Sequence, residues 1–185
     1  MGTLSQLYTD VRTRLLSQVD GGGHPYIKFC QVWNNQMGGR DADQKDMYAF
    51  PLPAVFLEIN SPDSIEQLGN GAQLQVLTLR VHIFHEFYNN TDTTNGMMEQ
   101  DLAIFALRDV VYGALQKYEP SGAVAMVRIA EMQDYDHDNV YHFIQEYQTN
   151  YIDNSRVEPI GYIEVTGTGV GTIDVTATPT YIHHT

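Results

Sequence analysis

The segment from Leu77 to Phe87 alternates apolar and polar side chains almost without a break. Because successive side chains of a β-strand point to opposite faces, this alternation predicts a long strand with one apolar face. The apolar face comprises Leu77, Leu79, Val81, Ile83 and Phe87, and the opposite face comprises Thr78, Arg80, His82 and Glu86. The apolar face needs a core to cover it, while the other face meets water or a partner.

Two segments have the apolar spacing of amphipathic helices. The first carries Leu4, Leu7, Tyr8, Val11 and Leu15, follows a Thr3–Gln6 capping-box spacing, and ends before the glycines at 21–23. The second runs from about Met98 to Tyr118 and ends before Pro120. Each needs an apolar surface to pack against.

Four more segments have strand character: 26–35, 51–59, 124–133 and 140–152. Residues 61–63 and 69–71 mark a connection, and residues 134–139 form an acidic hairpin loop. The predicted order is helix, three strands, helix, two strands. Short links between consecutive strands predict an α+β fold with a mostly antiparallel sheet and both helices packed on one face.

The last part of the chain has a different composition. Residues 1–160 read as one domain, whereas Thr, Gly and Val dominate residues 161–185. This composition favours extended backbone but supplies little material for a core. We expect a C-terminal arm that adds to the edge of another sheet through Val165, Val170, Ile173 and Val175. The alternative is a last strand pair of the same domain.

The net charge of −13 excludes some classes of function. The ten Lys and Arg residues are dispersed along the sequence, which disfavours nonspecific nucleic-acid binding. No apolar run is long enough to span a bilayer, and the first residues lack a signal-peptide pattern. We therefore expect no membrane partner and a protein made in the cytoplasm.

The sequence contains only weak matches to metal-binding motifs. Asp134, Asp136 and Asp138 have the spacing of the first ligands of an EF-hand, but Asn139 and Gln145 stand where glycine and glutamate belong. His82 and His85 should point to opposite faces of a strand, and His137 and His142 also read as uncoupled surface residues. These patterns predict no metal site.

Cys30, the single cysteine, lies among strand residues without a neighbouring base, so we expect a buried, inert thiol. The sequence has no nucleophile elbow, phosphate loop or dinucleotide fingerprint. We expect neither enzymatic activity nor a cofactor.

Aromatic residues suggest an interface. Tyr141, Tyr147 and Tyr151 share one face of the last strand, and aromatic bodies with polar tips suit interfaces that assemble from water. They are equally ordinary as core residues, and both readings stay open. On the long strand, Arg80, His82 and Phe84 lie on the face left for water or a partner. These six residues are the candidate interface.

The order of elements resembles the tail terminator (tail-completion) proteins of tailed bacteriophages. The resemblance covers about residues 4–152 and includes the strands Lys28–Trp33 and Pro53–Ile59, the long strand from Leu77, the second helix and the acid-tipped hairpin. The family has no invariant catalytic motif, and the Thr- and Gly-rich extension departs from its shortest members.

The resemblance implies a virion protein of the phage neck that forms a ring, commonly hexameric. Such a ring caps the tail tube, joins it to the head connector and lets genomic DNA pass without specific binding. The alternatives are a head-side connector (head-closure) ring or a non-viral acidic adaptor.

Residues 131–158 contain seven acidic side chains and one arginine. Acidic walls repel a polyanion, so DNA can slide past them without sticking. We therefore expect Asp134, Asp136 and Asp138 to face the lumen of the ring or the adjoining ring.

Deleting residues 161–185 should leave the remaining domain cooperatively folded but weaken its attachment to partners, because the segment is extended and lacks a core of its own. Thermal unfolding followed by circular dichroism checks the first part. A truncated chain that loses its cooperative transition would show that the segment belongs to the core.

Overall fold

The computed structural model describes residues 4–36, 50–60, 65–86, 98–134 and 140–157. The backbone alone is described for residues 98–101. The elements in chain order are α1 (Leu4–Leu16), β1 (Phe29–Val32), β2 (Ala54–Asn60), β3 (Glu66–Gly69), β4 (Ala72–Glu86), α2 (Met98–Leu115), β5 (Val127–Asp134) and β6 (Val140–Asp153).

The strands form one six-stranded sheet of order β1-β2-β4-β6-β5, with β3 paired to β4 beyond the end of β2. Only β1 and β2 are parallel; the other described pairs are antiparallel. The prediction of an α+β fold with a mostly antiparallel sheet is therefore confirmed. β5 and β6 pair as the two arms of a hairpin, as their acidic link predicts.

Both helices lie on one face of this sheet, as predicted. The apolar stripe of α1 (Leu7, Val11, Leu15) and that of α2 (Ile104, Leu107, Val111) share a buried cluster with the odd-numbered residues of β4 and β6. Leu77, Leu79, Val81 and Ile83 are all buried there, as their alternation predicts. We call this side of the sheet the helix face.

The opposite side, which we call the outer face, is partly covered too. A second cluster of Leu52, Ala54, Phe56, Phe84 and Val140 lies there, packed against Phe29, Trp33 and Phe50. Aromatic contacts organise this cluster. The rings of Phe29 and Phe50 stack with their centres 5.5 Å apart, and those of Trp33 and Phe56 pack edge to face with their centres 5.8 Å apart. The outer face of β4 is thus dry around Phe84 rather than left to solvent or a partner.

The link between β2 and β4 contains a strand that the sequence pattern does not predict. Asn70 and Gly71, which we interpreted as part of a connection, form the tight turn between β3 and β4, both with positive φ (49° and 81°). Asn-Gly is the preferred pair for such a hairpin turn. β4 consequently begins at Ala72, five residues earlier than its clear alternation does.

The segment after β6 returns to this turn. Ser155 donates its amide hydrogen to Asp153 Oδ1 at 2.8 Å, and the Arg156 carbonyl lies directly against the position that a Gly71 Cβ would occupy. Residues 158–185, and with them the proposed arm, lie outside the described residues.

Replacing Gly71 with alanine should cost more than about 3 kcal/mol of unfolding free energy for two reasons. The residue would have a left-handed backbone conformation, and its new Cβ would collide with the Arg156 backbone. Gly23 has a similar φ of 83° but open space around it, so Gly23→Ala should cost only about 1 kcal/mol. Urea unfolding of the two variants measures the difference, and equal losses would rule out the close contact.

Candidate assembly surface and buried polar networks

Exposed apolar side chains recur at β5 and at the neighbouring helix α2. Six of them lie on β5, just before it, or on α2, each 46–53% exposed. These residues, which we call the β5 flank, are Leu102, Phe105, Val124, Val127, Ile129 and Met132. Val127 and Met132 stand opposite Gln148 and Ile144 on the outer face of the sheet, whereas Leu102 and Phe105 lie on α2 at the helix face. The six therefore lie on both faces of the sheet at β5, and large exposed apolar side chains grouped in this way are typical of interaction surfaces.

β5 is also an edge strand. In the part of the chain that the structure describes, it pairs only with β6, and a bulge between Arg128 and Ala130 leaves Ile129 without a direct partner in the ladder. An exposed apolar edge strand offers unpaired backbone groups to another chain. β1 ends the sheet on the other side, with Val32 55% exposed and Arg12 Nε donating to the Cys30 carbonyl at 3.0 Å.

A partly buried polar network holds α2 against β5 and β6 behind the flank. Glu131 Oε1 accepts hydrogen bonds from Arg108 Nε at 2.7 Å and from Gln145 Nε2 at 3.1 Å. Tyr147 donates its hydroxyl hydrogen to Gln145 Oε1 at 2.7 Å. Because each buried polar atom has a partner, the network fixes the helix relative to the strands.

The arginines of this network also stack on rings. The Arg108 guanidinium lies 4.5 Å from the centre of the Phe143 ring, and that of Arg128 lies 4.0 Å from the centre of the Tyr112 ring. The hydrogen bond from Arg108 lowers the pKa of Glu131, and the same bond raises the pKa of Arg108. Both groups therefore stay charged at neutral pH, and the flank rests on a rigid base.

A different polar chain crosses the outer face. His82 Nε2 lies 3.2 Å from Glu58 Oε2, and His82 Nδ1 lies 3.0 Å from His142 Nε2. His142 Nδ1 in turn lies 3.0 Å from Asp134 Oδ2. We call these four residues the carboxylate–imidazole chain.

Aromatic rings seal the imidazoles from water. Trp33 stacks on His82 with ring centres 4.2 Å apart, and Phe84 stacks on His142 at 4.1 Å. The two histidines are 4% and 2% exposed. Burial lowers the pKa of His82, and the hydrogen bond to Glu58 opposes this effect.

Arg80 adjoins the Glu58 end of the chain. Its Nε donates to Glu146 Oε1 at 2.6 Å, and its Nη1 lies 3.8 Å from Glu58 Oε2, the oxygen that also faces His82. The bond to Glu146 raises the pKa of Arg80. Glu58 therefore stands between a permanent cation and an imidazole.

The structure separates the six candidate interface residues. Arg80 is exposed and Tyr141 is half-buried. His82 and Phe84 lie beneath the outer aromatic cluster, and Tyr147 and Tyr151 are fully buried in the helix-face core. The prediction of an exposed interface is thus wrong for His82 and Phe84, which Trp33 covers. Of the two interpretations left open for the tyrosines, the core interpretation fits Tyr147 and Tyr151, which the helices cover.

The acidic candidates are only partly described. Asp134 ends β5 and bonds to His142, so it supports the sheet as well as beginning the acidic loop. Asp136 and Asp138 lie outside the described residues, as do Val165, Val170, Ile173 and Val175 of the proposed arm.

The expectations for histidine and cysteine meet different outcomes. His82 is buried on the outer face while His85 contacts the Glu86 carbonyl, so the two do not converge, as predicted. The surface interpretation of His142 is wrong. Cys30 is a buried free thiol, as predicted, and desolvation raises its pKa to about 12. Among the described residues, no cluster of three or more His, Cys, Asp or Glu side chains has the geometry to hold a metal ion.

Sequence reasoning missed both polar networks. For Gln145 a signal exists: it is a polar residue among the buried odd-numbered positions of β6, where an unpaired amide would be costly. For His142 and Glu58 the signal is absent, because their partners lie on other strands and the register between two strands cannot be inferred from the residues of either strand.

No protein-family model matches this chain, and no curated protein sequence matches it either. Among the described residues, no helix has the length and apolarity to cross a membrane.

Glu131→Gln should lower the unfolding free energy at neutral pH by about 2 kcal/mol, because Arg108 and Arg128 lose their carboxylate partner. Since the folded pKa of Glu131 lies below its ordinary value, its contribution is present above that value and disappears as the pH falls through the folded pKa. The wild-type and variant stabilities should therefore converge in acid.

The matched control is Glu119→Gln, which changes an exposed glutamate on the loop after α2. Urea unfolding at a series of pH values should show little effect for it at any pH. A constant gap between wild type and Glu131→Gln down to strongly acidic pH would contradict the assignment.

Proposed function

We propose that this chain is a ring-forming structural protein of a tailed-phage virion, which terminates the tail tube and joins it to the head connector. Its activity on this view is assembly rather than catalysis. The observation that carries the proposal is the β5 flank: the edge strand β5, Val124 just before it and one turn of α2 expose six large apolar side chains. Such a surface gains stability when a second copy covers it.

The position of the flank favours a ring over a symmetric dimer. β5 and β1 are the two ends of the same sheet, and they differ in length, direction and composition. Contact between the β5 flank of one copy and the β1 side of the next is head-to-tail, and such contacts close into a ring when the rotation per copy is right. Exposed Val32 on β1 is the matching apolar contact.

Rigidity behind the flank supports the same conclusion. The hydrogen bonds and ring contacts of Arg108, Glu131 and Gln145 hold α2 and β5 in a fixed relation before any partner arrives. A preorganised surface loses less entropy on association than a flexible one. Each copy can then join the previous one at the same rotation angle, which a closed ring requires.

The phage setting rests on the resemblance in element order and on charge. The folded part keeps the order that carries the resemblance, with the β3–β4 hairpin as an addition. A net charge of −13 suits a channel wall along which DNA slides without binding. The partners implied are further copies, commonly six to a ring, the tail-tube protein and the neck proteins on the head side.

Light scattering of the purified protein over a concentration series, alone and with tail-tube protein, tests this proposal. Ile129→Lys should block association through the β5 flank, and Val32→Lys should block it through β1. Each variant keeps one competent surface, so an equimolar mixture should form a pair that cannot grow. Ile65→Lys is the control, because Ile65 is 46% exposed but lies on neither flank.

Rings in the control and wild type, lone copies of each blocked variant, and a pair in the mixture are the expected results. A wild-type chain that stays monomeric at high concentration and with tail-tube protein would overturn the proposal. Rings that survive both substitutions would overturn the assignment of the surfaces.

A further inference from the structure

The carboxylate–imidazole chain takes one residue from each of four neighbouring strands. Glu58 lies on β2, His82 on β4, His142 on β6 and Asp134 on β5, which is the order of these strands in the sheet. Its three contacts, of 3.2, 3.0 and 3.0 Å, run across the strands rather than along them. This row of side chains therefore links the sheet in the same direction as the backbone hydrogen bonds do.

The number of protons in this row follows from its geometry. Each of the three contacts is a hydrogen bond only if it holds one proton, so the row needs three. Two neutral imidazoles carry two protons, and two ionised carboxylates carry none. If the row holds only two protons, two lone pairs face each other at one of the three contacts. If the two rings hold four protons, an N–H group of His82 points at an N–H group of His142.

We propose that the carboxylate–imidazole chain is a buried proton-binding site, which holds one proton more than two neutral histidines and carries it as an imidazolium at His142. In this state His142 donates from Nδ1 to Asp134 and from Nε2 to His82 Nδ1. Neutral His82 then donates from Nε2 to Glu58. All three contacts are satisfied, and the four groups together bear a single negative charge.

The surrounding charges select His142 over His82. The charged groups in or beside the row include Glu58 on β2, Arg80 on β4, Glu146 on β6 and Asp134 on β5. The Arg80 guanidinium lies near the same Glu58 oxygen as His82 and disfavours a positive charge on the His82 ring. The Asp134 carboxylate instead contacts the His142 ring and favours a positive charge on it. Burial also lowers the pKa of His82, which keeps that ring neutral.

The aromatic cover makes the proton count matter. Stacked rings of Trp33 and Phe84 keep water from the two imidazoles, and an aromatic face also favours a neighbouring cation. Losing the extra proton would set two lone pairs against each other at one of the three contacts, each of which includes a buried imidazole; the Glu58 and Asp134 carboxylates at the two ends are 29% and 34% exposed. Gaining a fourth would break the His82–His142 contact. The link between Asp134 and the sheet therefore depends on pH.

Nitrogen-15 NMR of the histidine rings in the full-length protein tests this inference, because the ring shifts distinguish the two neutral tautomers from the imidazolium. At about pH 7.5, well above the ordinary histidine pKa, His142 should be protonated on both nitrogens and His82 on Nε2 alone. Two neutral rings at this pH would overturn the inference, and so would a cation on His82.

Asp134→Asn supplies the complementary test. The amide can donate to His142 Nδ1, so two neutral rings then satisfy all three contacts, and His142 should lose its second proton at the same pH. Glu58→Gln should act alike and serves if the first variant does not fold. Asp20→Asn is the control: it removes the carboxylate 3.2 Å from exposed His24 and should leave His142 charged. A His142 that stays charged in Asp134→Asn or Glu58→Gln would contradict the proton count.

The inference does not depend on the proposed function. A monomeric chain could hold the proton, and a ring could form without it. A negative result in the light-scattering experiment therefore leaves the proton-binding site standing, and a negative NMR result leaves the proposed function standing.

Discussion

The antiparallel ladder between β4 and β6 is the interaction on which the rest of the structure depends. It pairs 14 residues without interruption, from Gln73 with Asp153 to Glu86 with Val140. This register sets the odd-numbered residues of both strands on the helix face, where they form the main core. The same register brings His82 and His142 together on the outer face. One slip of a single residue would exchange the two faces and lose both.

The two faces of this ladder deal with buried polarity in different ways. On the helix face, Glu131 is matched by two arginines and an amide, so its charge is fully compensated and the network serves rigidity. On the outer face, two imidazoles lie between two carboxylates, and the contacts are complete only at one proton count. The first network lies behind the β5 flank, which we propose as the assembly surface, while the second ties Asp134, at the end of β5, to the sheet.

Much of the fold was predictable, and the reasons are local. The alternation at 77–87 identified the buried face of β4, and the apolar stripes located both helices and the side of the sheet they share. The β3–β4 hairpin was missed because its strand is short and fully exposed, so only its Asn-Gly turn carried a signal. The candidate interface was harder. Tyr147 and Tyr151 have the same alternation whether a helix or a partner covers them, and the second aromatic cluster, which buries His82 and Phe84, gathers residues from separate segments.

The apolar face of each strand, the position of the helices and the burial of Cys30 could be predicted from the amino-acid sequence alone, because these properties depend on side-chain spacing within one segment. The three-dimensional fold was needed to show which strands are neighbours, which of them end the sheet and which polar side chains meet. His82 and His142 are 60 positions apart, and Arg108 and Glu131 are 23 apart. Such pairs come together through strand register and helix docking, which are set by the packing of the whole domain rather than by the residues of either partner.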